Sequence, residues 1–275
     1  MTAASPADLA PIVTRLRAAG CVFAEDEARL LATTAQSAAD LAAMIDRRVS
    51  GHPLEHVLGW AEFSGLRIAV SDGVFVPRRR SEFLVRLAVA AARSAVQLAP
   101  RQHRPVIVDL CCGSGAIGVA VATAAGDADL HAADIEPGAV ACARQNVALL
   151  RGHVYQGDLY DPLPALLCGH VDVLVVNAPY VPTSEMGFMP PEARLHEPAI
   201  ALDGGSDGVD VHRRVAASAP RWLAPDGTLL IETSARQAAR TAAAMAASGL
   251  VPSISSDDDL DATVVIGTQK RPSRR

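Results

Sequence analysis

Four consecutive residues, Asn177-Ala178-Pro179-Tyr180, offer groups suited to holding a planar nitrogen. The side-chain carbonyl of Asn177 is one hydrogen-bond acceptor. The backbone carbonyl of Ala178 is a second, and Pro179 restricts it to extended geometry. Tyr180 can stack on a flat amide. Because an amide nitrogen is a poor nucleophile, catalysis would consist mainly of orientation and electrostatics, although the same residues also suit an ordinary turn.

A second candidate turn lies earlier in the chain. Both turns follow short apolar runs, 106–110 and 171–176, which predict buried parallel strands, and ligands in open α/β sheets bind at the carboxyl ends of such strands. Residues 109–118 read Asp-Leu-Cys-Cys-Gly-Ser-Gly-Ala-Ile-Gly, in which Gly113 and Gly115 allow a tight turn and close approach to a ligand. With Gly118 they also match the dinucleotide fingerprint, so a dehydrogenase is an alternative.

Acidic residues near the ends of three predicted strands favour S-adenosylmethionine over a dinucleotide. Asp109 is unfavourable beside a pyrophosphate but suits a ligand that carries an ammonium and a sulfonium, whose carboxylate can use N–H groups at the helix N-terminus. Asp134 can accept hydrogen bonds from both ribose hydroxyls, and Asp158 can accept one from the adenine amino group. Other residues of the glycine turn complete the candidate cofactor set: Cys111, Cys112 and Ser114.

Strands and helices alternate from residue 105 onward, and this alternation predicts a doubly wound α/β sheet. The predicted strands are 106–110, 130–135, 153–155, 171–176 and 228–232, with helices at 116–125, 137–150, about 207–222 and 234–247. Two final strands, 251–255 and 263–268, are separated only by a short acidic turn. They should therefore pair antiparallel.

The preceding part of the chain divides into three regions. Residues 1–58 predict a small helical lobe that begins at Ser5-Pro6, with a break near residues 37–40. Residues 59–77 predict a hairpin linker that turns at Gly65, and residues 78–275 the α/β domain. Its first helix, 81–98, has an apolar stripe that should face inward: Leu84, Leu87, Ala91, Ala95 and Leu98.

Composition narrows the function classes. The 275 residues are half apolar and one fifth charged, with a net charge of −5 that argues against general nucleic-acid binding, despite basic clusters at 78–80 and 270–275. Five cysteines without a Cys-x-x-Cys pair fit neither a disulfide framework nor a zinc site. Cys111 and Cys112 are most simply small packing residues. We expect no metal, no signal peptide, no membrane span and a cytoplasmic location.

Taken together, the motifs resemble one family. Asp109-x-x-x-Gly113-Ser114-Gly115, Asp134, Gly157-Asp158 and Asn177-x-Pro179-Tyr180 are similar to the class I methyltransferases of the HemK/PrmC type, which methylate a glutamine side-chain nitrogen in proteins. The resemblance extends to segments outside the cofactor turn: 54–59, 62–66, 77–82, 196–198, 201–208, Glu232 and Gln237.

The resemblance implies a class I S-adenosylmethionine-dependent methyltransferase fold, with a doubly wound seven-stranded sheet and a small N-terminal helical domain that recognises a protein substrate. Asn177 would contact both donor and glutamine, while Ala178, Pro179 and Tyr180 complete the amide pocket and Leu159 packs on the adenine. The implied substrate is a release factor, a ribosomal protein or another glutamine-bearing protein, and the implied state is a monomer.

The chain departs from the family pattern at several positions. The family motif is Asn-Pro-Pro-Tyr, and Ala178 replaces its first proline in this chain. Cys111 stands where the family has Gly, and Arg80 stands where the family has an acid. An Arg that the family has near the end of the chain is replaced by Ala262-Thr263. Ala178 keeps the carbonyl and gains an N–H. These departures predict a divergent branch and leave open a target other than release factors.

Two other functions are compatible with the sequence. Similar Asn- or Asp-Pro-Pro-Tyr motifs serve exocyclic amines of adenine and cytosine, which would require an electropositive channel and base flipping. A non-catalytic adaptor that keeps the cofactor fold is the second alternative, supported only by the missing first proline of the motif.

Overall fold

A computed structural model describes residues 6–98 and 103–269. Ser5, expected to start the first helix, and the basic cluster 270–275 lie outside the described residues. None of the helices in the described ranges has the length and apolar character required to cross a membrane.

The N-terminal lobe consists of four helices: α1 (Pro6–Ala18), α2 (Ala24–Thr34), α3 (Ala38–Val49) and α4 (Leu54–Leu58). The expected break between the second and third is present, because the hydroxyl of Ser37 caps α3 by accepting from the Asp40 N–H at 3.1 Å. The helices bury a core of their own, which includes Leu16, Leu31 and Ile45.

The hairpin follows the lobe as β1 (Trp60–Phe63) and β2 (Leu66–Ala69), which pair antiparallel. It turns at Ser64 and Gly65, both in the left-handed region at φ 51° and 73°. Phe63 and Ile68 are buried in the core of the α/β domain. The hairpin is therefore part of that domain's packing as well as a connection to the lobe.

The predicted doubly wound sheet is confirmed. Its strands are β3 (Val106–Leu110), β4 (Asp129–Asp134), β5 (His153–Gln156), β6 (Val171–Val176), β7 (Leu223–Thr233), β8 (Leu250–Asp257) and β9 (Ala262–Gln269). They lie in the order β5-β4-β3-β6-β7-β9-β8. The first five are parallel, and β9 pairs antiparallel with both β7 and β8, as the short turn between the last two strands predicts.

Five helices cover the two faces of the sheet: α5 (Glu82–Leu98), α6 (Ala116–Ala125), α7 (Pro137–Val147), α9 (Asp210–Trp222) and α10 (Ala238–Ala247). The short helix α8 (Pro191–His196) lies in the segment between β6 and β7. The predicted inward stripe of α5 is correct in part: Leu84 is fully buried and Leu87 and Ala91 pack partly buried against the core, but Leu98 is not buried. The buried side chains of this helix are Phe83, Leu84, Val85, Ala88, Val89 and Ala92, whereas Leu98 is 64% exposed. In an alanine-rich helix the apolar residues do not define one face, so the packing of bulkier Phe83 and Val85 decides the rotation.

Candidate active site

Both candidate turns open into one cavity of about 210 Å³ at the carboxyl ends of β3, β4 and β6. These neighbouring strands are parallel, so the residues that follow them meet at one edge of the sheet. The predicted residues that line this cavity are Cys111, Cys112, Gly113, Ser114, Asp134, Asp158, Leu159, Asn177, Ala178, Pro179 and Tyr180.

The glycine turn has a compact backbone. Cys111, Gly113 and Gly115 all have positive φ, at 55°, 56° and 77°. The left-handed conformation of Cys111 explains why a glycine suits this position better. Gly115 packs against α7, where an added Cβ would lie 3.3 Å from a methyl carbon of Val147, so its contribution to the cavity is indirect.

The two cysteines of the turn are poor candidates for reactive groups. Cys112 is buried and Cys111 partly buried, and burial raises the pKa of both thiols, with nearby carboxylates adding to the effect. Protonated thiols here act as small apolar wall groups.

Asp109 lies behind the glycine turn and outside the cavity wall, whereas sequence reasoning placed it against a cationic ligand. It is 1% exposed, and its Oδ2 accepts from the Gly118 N–H at 2.8 Å. Oδ1 has no hydrogen-bond partner among the described residues. Burial raises the pKa of Asp109 to about 7, although the Gly118 N–H opposes the shift. Its visible role is to hold the start of α6.

Asp134 ends β4 and faces the cavity. Its Oδ2 accepts from the Gly113 N–H at 2.8 Å and its Oδ1 from the Glu136 N–H at 3.0 Å. Burial raises the pKa of Asp134 against the effect of these two bonds. The carboxylate is therefore held rigidly, with acceptor capacity left for a polar ligand.

Asp158 also lines the cavity, but it is paired. Arg214 of α9 donates to its Oδ2 at 2.5 Å, and both side chains are partly exposed. Sequence reasoning missed Arg214, because the helix that carries it is remote in the chain and no local motif marks it. A ligand amine that reaches Asp158 would share the carboxylate with this guanidinium or displace it.

The Asn177 segment is held from two sides. Asn177 Nδ2 donates to Ser81 Oγ at 3.2 Å, and Gln237 Nε2 donates to the Tyr180 carbonyl at 2.7 Å. The guanidinium carbon of Arg80 lies 5.9 Å from the centre of the Tyr180 ring. Burial raises the pKa of the Tyr180 phenol to about 12, so it stays neutral and can present its ring to a flat group.

Comparisons with known proteins identify methyltransferases as the relatives of this chain. The family model for the methyltransferase small domain matches residues 90–190. A release factor glutamine methyltransferase from Streptomyces coelicolor is 39% identical over 69% of this chain and 65% of its own length. One from Mycolicibacterium smegmatis is 38% identical over 79% of this chain and 74% of its own length. The chain belongs to the release factor glutamine methyltransferase family.

This chain covers only part of the length of its relatives. The chain spans less than two thirds of the length of the Streptomyces coelicolor relative, and 65% of one from Geobacter sulfurreducens. Another relative, a 4-amino-L-phenylalanine/4-methylamino-L-phenylalanine methyltransferase from Streptomyces pristinaespiralis, is 34% identical over 74% of this chain and 69% of its own length. The relatives of this chain thus include one whose name describes methylation of an amino acid rather than of a release factor.

A solved methyltransferase from Pyrococcus furiosus shares the fold, with a TM-score of 0.53 at 14% identity over 74% of this chain and 89% of that one.

Proposed function

We propose that this chain is an S-adenosylmethionine-dependent methyltransferase that acts on the side-chain amide nitrogen of a glutamine in a protein. One observation carries the proposal. The two acceptors of the Asn177 segment and the glycine turn with Asp134 line the same cavity. A planar amide held by the first group would face a donor held by the second. Family membership supports this pairing.

The residues of the cavity fit the proposed cofactor. Asp134 is fixed by two backbone N–H groups and presents a carboxylate suited to ribose hydroxyls. Leu159 and Ile117 supply apolar wall beside it. Gly113 has nothing closer than 4.0 Å to an added Cβ, so the turn leaves open space at its ligand side. When bound, S-adenosylmethionine would supply an electrophilic methyl group.

The chain's own contribution is positioning. The Asn177 Oδ1 and the Ala178 carbonyl accept the two N–H groups of the substrate amide, which fixes the direction of its nitrogen. Tyr180 packs on the plane of the amide. Ala178 is 2% exposed, so this part of the pocket excludes water and strengthens both hydrogen bonds. These groups lower the barrier by orientation, and no strong base is required of them.

For the finer assignment we propose a release factor or another protein with an accessible glutamine as the substrate. The names of the relatives support a release factor. The five cysteines are free thiols, which supports our proposal of a reducing, cytoplasmic setting. A monomer and the domain division at residues 1–58, 59–77 and 78–275 remain predictions.

A second candidate is methylation of an aromatic amine on a free amino acid. The Streptomyces pristinaespiralis relative favours it. An aryl amine is also a planar nitrogen, which the same two acceptors could orient. Replacing the protein substrate by 4-amino-L-phenylalanine in the assay distinguishes the two candidates.

The proposal is tested by comparing proteomes of cells with and without this protein. We expect one or more glutamines to lose a methyl group, seen by mass spectrometry as a 14 Da decrease in the affected peptides. Reintroducing the wild-type chain should restore the mass, and reintroducing Asn177→Ala should not. An unchanged set of methylated glutamines would contradict the protein-directed activity.

A further inference from the structure

Three arginines line the cavity, and two of them are held by carboxylates of the protein. Arg78 and Arg214 each donate to a carboxylate oxygen at 2.5 Å. The third, Arg80, makes no hydrogen bond with the described residues. Its ion-pair partner among them is Glu232, with Nε 3.6 Å from Oε1. The four N–H groups on the two Nη atoms of Arg80 therefore have no acceptor within the described part of the chain.

Arg80 presents its charge at the amide end of the cavity. Its guanidinium carbon lies 5.9 Å from the centre of the Tyr180 ring, and the next residue, Ser81, accepts from Asn177 Nδ2 at 3.2 Å. The side chain of Arg80 is 43% exposed, whereas that of Glu232 is 3% exposed. The charge that faces solvent beside the amide pocket is therefore positive, and its counter-charge is buried in the protein.

The ion pair with Glu232 neutralises Arg80 only in part. A separation of 3.6 Å is longer than a hydrogen bond. Burial also raises the pKa of Glu232, which favours its neutral form. A carboxylate that approached Arg80 from the cavity would meet the planar fork of its Nη groups, and this fork matches the two oxygens of a carboxylate.

The methyl acceptor is a better source of such a carboxylate than the methyl donor. The carboxylate of S-adenosylmethionine suits the backbone N–H groups near the start of α6. Arg80 lies instead beside Tyr180, the residue that packs on the amide in the proposed pocket. A glutamine held there brings its neighbours in the substrate chain to the mouth of the cavity, where Arg80 is exposed.

We propose that Arg80 is a specificity-determining residue that binds an acidic side chain next to the methylated glutamine of the substrate protein. The inference rests on the proposed function for the glutamine and adds the charge of its neighbours. Arg80 stands where the family has an acid, so this chain reverses the charge at one point of the cavity wall. Substrates with an acidic neighbour are favoured and those with a basic neighbour are disfavoured.

The test uses capped peptides in which one glutamine lies between two glutamates, two alanines or two lysines. With the wild type, we expect kcat/KM for the glutamate peptide to exceed that for the alanine peptide about fivefold, the effect of a partly exposed ion pair. The lysine peptide should be the poorest substrate. Arg80→Gln should bring the ratio of glutamate to alanine peptide close to one. Arg80→Lys should keep part of the preference, because it keeps the charge and loses the planar fork.

Arg79→Gln is the matched control. Arg79 is exposed and adjacent in the sequence, but it does not line the cavity. Both glutamine variants remove one positive charge, so a general charge effect would change the peptide ratio equally in the two. We expect Arg79→Gln to keep the wild-type ratio. The wild-type preference should also weaken as the ionic strength rises from about 0.05 to about 0.5 M, because salt screens an exposed pair.

The Kd for S-adenosylmethionine identifies which carboxylate Arg80 binds. Measured by calorimetry, it should be the same within about twofold in the wild type and all three variants, as for surface substitutions that touch no ligand. This measurement also reports folding. A large rise of this Kd in Arg80→Gln alone would assign the guanidinium to the carboxylate of the donor and would overturn the proposal.

Peptide binding without turnover separates this inference from the proposed function. The Kd of each peptide is measured by NMR titration of the chain saturated with S-adenosylhomocysteine, which has no methyl group to transfer. If the wild type methylates no peptide but binds the glutamate peptide more tightly than the alanine peptide, and Arg80→Gln does not, the proposed function fails and the role of Arg80 stands. The absence of a measurable preference in the wild type, or an unchanged preference in Arg80→Gln, would overturn the role of Arg80 and leave the proposed function intact.

Discussion

One buried arginine joins the helical lobe to α8 of the α/β domain. Arg48 of α3 is 8% exposed and donates to both carboxylate oxygens of Glu27, at 2.7 and 3.1 Å. It also donates to the carbonyl of His52 at 2.9 Å and to Glu192 of α8 at 2.6 Å. α8 lies between Met189 and Pro198, which both line the cavity, so Arg48 connects the lobe to a segment of the chain that borders the cavity.

Replacing Arg48 by methionine should cost about 3–5 kcal/mol, because it leaves the buried carboxylate of Glu27 without its partner. Replacing both members, as Arg48→Met with Glu27→Leu, removes the unpaired charge and should recover most of this loss. Arg15→Met is the matched control. Its pair with Asp46 is exposed, at 51% and 68% of the side chains, so it should change stability by less than about 1 kcal/mol.

The assay is urea unfolding followed by tryptophan fluorescence. The chain has two tryptophans; Trp60 packs against the core of the lobe and Trp222 within the α/β domain. A Trp222→Phe background therefore isolates the signal from the lobe. A single variant within about 1 kcal/mol of the wild type, or a double variant no more stable than the single one, would refute the assignment of Arg48 as a buried ion-pair centre.

Three further predictions follow from individual contacts. In Gly118→Ala, the new Cβ would lie 2.9 Å from Asp109 Oδ2, so we expect a loss of about 1–3 kcal/mol in urea unfolding; Gly138→Ala, with nothing within 4 Å of its Cβ, should be tolerated. The raised pKa of Asp109, about 7, means that the folded state keeps a proton which the unfolded chain releases near pH about 4. Wild-type stability should therefore fall relative to Asp109→Asn as pH rises from about 4 to about 7, and equal slopes would contradict this. Ala178→Pro should retain methyl transfer in a labelled-methyl assay, because the Ala178 N–H makes no hydrogen bond with other described residues; a large loss would show a pocket rebuilt for another substrate.

Local sequence patterns were sufficient to predict most of the strands and helices. The strand at 106–110 and the helix at 116–125 fall at the expected residues, since β-branched runs and glycine turns specify them by local physics. Convergence of the two turns on one cavity followed from the parallel topology. The inward face of α5 was predicted only in part, because its alanines leave the rotation of the helix to tertiary packing.

Contacts distant in the chain could not be read from the sequence. Arg214 pairs with Asp158, and Arg48 pairs with Glu192, across 56 and 144 residues. The residues around an arginine in the sequence do not predict which distant carboxylate it will pair with. The burial of the Asp109 side chain depends on how α6 packs over β3. An aspartate at the end of a predicted strand does not by itself indicate that packing. Ser81 lies just after the basic cluster 78–80, and its burial and its hydrogen bond with Asn177 come from tertiary packing that no local pattern indicates.

The proposed role of Asn177 is to orient a glutamine amide for methylation. The most direct measurement incubates the purified chain with S-adenosylmethionine carrying a labelled methyl group and a protein identified from the proteome comparison, and locates the label by fragmentation mass spectrometry. We predict label on a glutamine side-chain nitrogen with the wild type, and none with Asn177→Ala, whose Kd for S-adenosylmethionine stays within a few-fold of the wild type. Label on another atom, or normal turnover by Asn177→Ala, would contradict the account.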